Sequence, residues 1–182
     1  MGERLGVDEV DRLWRRFEHT AFRFETLPAY RIENERALVA EFLAGEPNRL
    51  SFVPRDHERS AQINTMIGQG RQVSRVRVLH EPPSGYERWQ LLSGQIAPGE
   101  RFRWISYDRA LSVGLPVEAG DWWLFDSCRL VRLRFTPYGA PLGGELVGDP
   151  AVVVQHAAWR DLAMHVGLPR SSWVPGRPAA PR

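Results

Sequence analysis

Lysine does not occur in the chain, so all 24 basic residues are arginine. That absence removes side-chain Schiff bases and amine nucleophiles, and it makes every cation a planar guanidinium that can fork onto a carboxylate or a phosphate. Cysteine is almost as scarce: the single Cys128 excludes an internal disulfide framework. Long apolar runs are missing too, so neither a signal peptide nor a membrane span is expected, and the expected compartment is the cytoplasm. Nor does one sign of charge dominate. The formal charge is +2, and the pI of 9.1 follows from how high arginine titrates, so bulk charge gives no reason to expect nucleic acid as a partner.

What remains is ordinary globular material, 43% hydrophobic and 25% charged over 182 residues. This predicts one α+β domain over residues 1–168 and a disordered tail rich in proline and arginine over 169–182. Val10, Leu13, Trp14 and Phe17 recur at helical spacing within 8–19. Further helices are predicted over 33–44, 57–70, 85–96 and 149–166, the last opened by Asp149 as N-cap with Pro150 behind it. Alternation predicts strands over 20–27, 74–80, 101–107, 121–125, 129–135 and 144–147, with a hairpin through Asp126 and Ser127. Strands that cluster late in the chain imply a mixed, largely antiparallel sheet with flanking helices.

Catalytic signatures are missing as well. The scattered pairs His57 with Glu58, His80 with Glu81, and His156 with His165 lack the convergent spacing of a zinc site. No Gly-x-Ser-x-Gly, P-loop or dinucleotide fingerprint occurs, so no cofactor and no metal are expected. Cys128, at the start of an apolar strand, reads as a buried thiol. Asp121 and Asp126 flank one strand roughly 16 Å apart at 3.3 Å per residue, too far for an acid and base pair on one glycosidic bond. Turn and cap roles suit them better.

The informative pattern is arginine at i and i+2. Arg75 and Arg77 alternate with Val76 and Val78, Arg101 and Arg103 with Phe102 and Trp104, and Arg132 and Arg134 with Val131, Leu133 and Phe135. If the three strands are neighbours, six guanidinium groups share a sheet face that points away from the core and attracts phosphate or an acidic partner. The bland alternative is a solvated face neutralised by Glu25, Glu87 or Glu145.

The runs FEHTAFRFET, RVRVLHEP, RFRWI, DWWLFDSCRLVRLRF and GGELVGDPAVV, spanning residues 10–166, resemble an actinobacterial family of domains of unknown function found beside helix-turn-helix regulators. The resemblance implies an association with regulation. A fainter one, to effector domains of the phospholipase D-like superfamily, rests on the WLFD and LVRL hairpin before a final helix. Setting Asp126 at that family's motif Asp puts Asp121 where its Lys belongs and Ala119 where its His belongs, which implies the scaffold without the phosphodiester chemistry. The expectation is therefore a non-enzymatic regulatory or interaction domain that meets a regulator protein or an acidic or phosphate-bearing ligand, with nucleic acid less favoured and no membrane. The alternative is a metal-independent enzyme of secondary metabolism with an aromatic and Arg-lined pocket.

Overall fold

A computed structural model describes residues 2–45, 57–92 and 97–172. The described elements run β1 (Glu3–Leu5), α1 (Val7–Arg16), β2 (Thr20–Glu25), α2 (Arg36–Leu43), α3 (His57–Gly68), β3 (Gln72–Leu79), α4 (Gly85–Leu92), β4 (Arg101–Ser106), α5 (Tyr107–Ser112), β5 (Trp122–Phe125), β6 (Arg129–Phe135), β7 (Pro141–Val147), α6 (Pro150–Val166) and β8 (Leu168–Pro169). They form one eight-stranded sheet in the order β1-β7-β6-β5-β2-β3-β4-β8. β2, β3 and β4 run parallel and the remaining neighbours pair antiparallel. This is the mixed, largely antiparallel α+β architecture that the alternation implied.

Local chemistry explains the boundaries. α1 opens with Glu9 accepting the Gly6 backbone N–H at 2.7 Å, and it carries acids in its first turn and arginines in its last, as the helix dipole favours. It ends at Arg16 rather than at residue 19, because Phe17 turns extended and drops its ring into the core. α6 begins where expected: the Asp149 carboxylate accepts the Ala151 N–H and Pro150 occupies the first turn. The helix over 33–44 opens as a short 3₁₀ turn, Glu33–Glu35, before α2. Residues 93–96, the end of the predicted 85–96 helix, lie outside the described residues.

Three pieces differ from the sequence expectation, the first being β1 (Glu3–Leu5), which precedes the first expected helix. α5 follows β4 directly where only the strand was expected. Pro169 to Ser172, expected to belong to the tail, are structured: β8 pairs with β4 through Arg103 and Trp104, the Trp104 indole donates to the Pro169 carbonyl at 3.2 Å, and Arg170 donates to the Leu91 carbonyl at 2.7 Å. Residues 173–182 lie outside the described residues.

The sheet is covered on both faces. Under α5 and α6, one face buries Phe22, Phe24, Val76, Val78, Ile105, Trp122, Leu124 and Leu130. On the other face, α1 and α3 pack through Val10, Trp14, Ile63 and Met66 onto Val73, Phe125 and Val131, while Leu38 of α2 and Tyr86 and Trp89 of α4 form a second cluster with Tyr30. Covering both faces is what parallel strands ordinarily require. Between those two apolar clusters the strands carry charge. Among the described residues no helix is long and apolar enough to cross a membrane.

Candidate functional site

The charge begins on β2, where Phe22 and Phe24 face α5 and α6 while Arg23 and Glu25 face the opposite way. Register sets Arg23 beside Arg75, and Glu25 beside Arg77, in adjacent parallel strands. Three guanidinium groups and one carboxylate are thereby pressed together under a layer of helices, with Arg77 and Glu87 fully buried and Arg23 and Glu25 nearly so. Isolated charges there would cost many kcal/mol, so each has partners. Arg23 donates to Asp121 at 2.8 Å and lies 3.6 Å from Glu25. Arg75 forks onto both oxygens of Glu100 at 3.0 Å. Arg77 donates to the Leu27 carbonyl and sits 3.9 Å from both Glu25 and Glu87.

Asp121 is the hub at one end. Besides Arg23 it accepts the Thr26 N–H, the Thr26 hydroxyl and the Tyr30 hydroxyl, and it is 2% exposed, so its charge is balanced without water. Burial alone would raise the Glu25 carboxyl, but Arg75, Arg23 and Arg77, with a hydrogen bond from Gln90, outweigh it and hold the group below the usual carboxylate range. Tyr30 and Tyr86 are pushed well above the ordinary phenol value, chiefly by burial, and stay neutral donors. Aromatic rings sheathe the cations: Arg23 lies 5.4 Å from the Trp123 centroid and 5.9 Å from Phe135, and Arg77 lies 4.9 Å from Tyr30.

This network floors a cavity of about 330 Å³ between the α1–α3 side and the α2–α4 side. Its walls are Trp14, Tyr30, Tyr86, Trp123, Leu133 and Phe135, and Arg23, Arg59, Arg75, Asp11, Glu25 and Glu35 also line it. Arg59 stacks over Trp14 at 4.5 Å.

The six arginines expected to share a face are divided. Arg75 pairs across from Phe102 and Arg77 from Trp104, so Arg101 and Arg103 of β4 take the other side of the sheet. Arg132 lies opposite Trp122, on that same α6 side but separated from β4 by three strands, and Arg134 follows it. Neither do all six project from the core: Arg77 is 0% exposed, whereas Arg101, Arg132 and Arg134 are exposed and Arg103 is half-buried. The cause is register, since parallel pairing puts an arginine of β3 beside an aromatic of β4. Of the carboxylates expected to neutralise them, Glu25 and Glu87 do so for the β3 pair, and Glu145 pairs in register with Arg132.

Other candidates resolve simply. Cys128 is exposed in the hairpin turn rather than buried, because β6 begins only at Arg129. Asp126 is a turn and cap residue, accepting the N–H groups of Glu18, His19 and Thr20. His80 bonds Glu87 rather than Glu81, with Nδ1 at 2.8 Å from its carboxylate. His156 is buried in α6 against the edges of Trp122 and Trp159. No group of three or more His, Cys, Asp or Glu among the described residues is placed to hold a metal ion.

Arg23, Glu25 and Asp121 are the residues that sequence reasoning missed as site members. The signal was present: TAFRFE alternates like the three arginine strands, with Arg and Glu at i and i+2.

An α+β domain whose mixed sheet carries an arginine and carboxylate network beneath an aromatic-walled cavity is the class that fold and site define. The chain belongs to the family described as "Domain of unknown function (DUF6879)", which matches residues 8–175. No curated protein and no solved structure matches it.

Proposed function

We propose that the chain is a non-enzymatic regulatory domain that acts by holding a small effector in this cavity. One observation carries the reading: the cavity has the size and aromatic lining of a small-molecule site, while Glu25, Tyr30 and Tyr86 in it are locked for binding rather than for proton transfer. Glu25 is held ionised by three arginines, and Tyr30 and Tyr86 are held neutral by burial, so none of them exchanges a proton near neutral pH. Among the described residues the lining contains no His, Cys, Ser or Thr to serve as nucleophile or base. Likeness to domains found beside helix-turn-helix regulators in actinobacteria supports regulation as the setting, and likeness to a phospholipase D-like scaffold without its His and Lys agrees with a domain that binds without hydrolysing. The test is a thermal-shift screen of a metabolite extract followed by mass spectrometry of retained compounds. Recovery of an unaltered compound that raises the melting temperature supports the reading, and its conversion to a product by the purified chain overturns it.

The second reading, a metal-independent enzyme, is favoured by the His80 and Glu87 pair at the carboxyl end of β3, where open parallel strands commonly present reactive groups. Turnover that His80→Ala abolishes while the fold is retained identifies that case.

A further inference from the structure

We infer that the cavity takes an uncharged, flat aromatic molecule carrying an N–H or O–H group, an inference that rests on reading the cavity as a ligand site.

Charge argues first. In the floor of the cavity the guanidinium forks of Arg75 and Arg23 are already closed: both oxygens of Glu100 hold Arg75 at 3.0 Å, and Asp121 holds Arg23 at 2.8 Å. An incoming anion must pull a buried carboxylate off its fork. Around the lining, Arg23, Arg59 and Arg75 balance Asp11, Glu25 and Glu35 one for one. Their immediate partners balance as well, Arg15 on Asp11 and Arg77 beside Glu25 against Asp121 and Glu100. A ligand with net charge would surrender its hydration and find no compensating field.

Cations are excluded by a second feature. Rings that would attract one are already covered by the chain's own guanidinium groups, Arg23 over Tyr30, Trp123 and Phe135, Arg59 over Trp14, and Arg77 over Tyr30 and Tyr86. What these surfaces still offer is ring edges and guanidinium planes, on which a neutral aromatic stacks well.

Hydrogen bonding supplies the third. The carboxylates of Glu25 and Glu35 line the cavity as acceptors, and that of Glu25 is crowded by Arg23, Arg75 and Arg77. A neutral N–H or O–H donates to such a carboxylate without adding a positive charge beside Arg23, Arg75 and Arg77.

The full chain is titrated with four probes of similar size: indole, 1-methylindole, benzamidine and benzoate. Proton–nitrogen NMR spectra follow the indole N–H signals of Trp14 and Trp123. Indole is expected to bind at least about tenfold more tightly than each of the others, the difference that one hydrogen bond of about 1.4 kcal/mol produces, and to move both tryptophan signals. Leu133→Trp, which fills the cavity from β6, is expected to abolish binding. Tighter binding of benzoate or benzamidine with the same signals moving overturns this inference while the cavity reading stands, as does equal binding of 1-methylindole. Binding that leaves Trp14 and Trp123 unmoved places the site elsewhere, and no binding of any probe at millimolar concentration overturns both readings.

Discussion

At the tip of the β5–β6 hairpin Asp126 adopts a φ of 51° and Ser127 a φ of 56°, the backbone that a tight two-residue turn demands and that few residues other than Gly, Asn and Asp tolerate. The Asp126 carboxylate also accepts the N–H groups of Glu18, His19 and Thr20 at 2.7 to 3.2 Å, so the turn between β5 and β6 fixes the entry of the chain into β2. Asp126→Ala loses these bonds and meets the left-handed penalty. It is expected to cost about 2 to 3 kcal/mol, read as a fall in melting temperature of about 4 to 12 °C. Asp126→Gly, which relieves the backbone but not the lost bonds, should lose less. Burial nudges the Asp126 carboxyl upward, but the three backbone donors dominate and hold it below its ordinary value. Its folded value thus lies below its unfolded one. The stabilisation is complete above about pH 4, the unfolded carboxylate range, and fades as pH falls through the folded value. In urea denaturation the gap between the wild type and Asp126→Asn should narrow on going from pH 7 to about pH 2, and a constant gap would assign the cap no ionic component.

Among the elements, those with both a period and a punctuation mark were legible. β6 spans Arg129–Phe135 as its alternation predicts, and α6 spans Pro150–Val166 between its Asp149 cap and Gly167. α5 was not, because its six residues continue directly from a strand and are too few to show a helical period, although Ser106 stands at its N-cap. β8 was hidden by composition: a proline-rich approach reads as tail, yet Leu168 and Pro169 cover the outer edge of β4. The site was obscured for a different reason. Alternation on β2 and β3 predicts which residues share a face, and it did so correctly for Phe22 with Phe24 and for Val76 with Val78, but it does not say whether the polar face meets water or a second layer of helices. Neighbours settle that, and β2 lies between β3 and β5 with both faces covered. β8 offers a direct check on its own contribution. A chain ending at Gly167 removes the pairing with β4, the Trp104 bond to Pro169 and the Arg170 bond to Leu91. At about 1 kcal/mol for each bond lost, the melting temperature should fall by about 5 °C or more, measured by calorimetry, and an unchanged value would make β8 an ornament of the edge.

For the whole molecule the sheet divides the work, one face packing hydrocarbon under α5 and α6 and the other holding an ionic layer between two apolar clusters. Such a layer is stable only as a unit. Asp121 joins the start of β5 to the end of β2 through Arg23 and Thr26, and to the cavity wall through Tyr30. Without it, the one carboxylate left to Arg23 among the described residues is Glu25 at 3.6 Å, in a nearly dry site. Asp121→Ala should therefore cost about 3 to 5 kcal/mol, the range for breaking a buried pair, and lower the melting temperature by roughly 6 to 20 °C. Arg132→Ala with Arg134→Ala, both exposed on the other face, should change stability by less than about 1 kcal/mol despite removing two charges. The decisive variant is the double one. Removing Arg23 together with Asp121 eliminates the orphaned cation, so the pair should cost less than the sum of the single substitutions by at least about 1 kcal/mol. Guanidinium denaturation of the wild type, both single variants and the double variant measures that difference. Strict additivity would mean that Arg23 and Asp121 stabilise the fold independently, and the ionic floor of the cavity would then be a set of separate contacts rather than a preorganised surface.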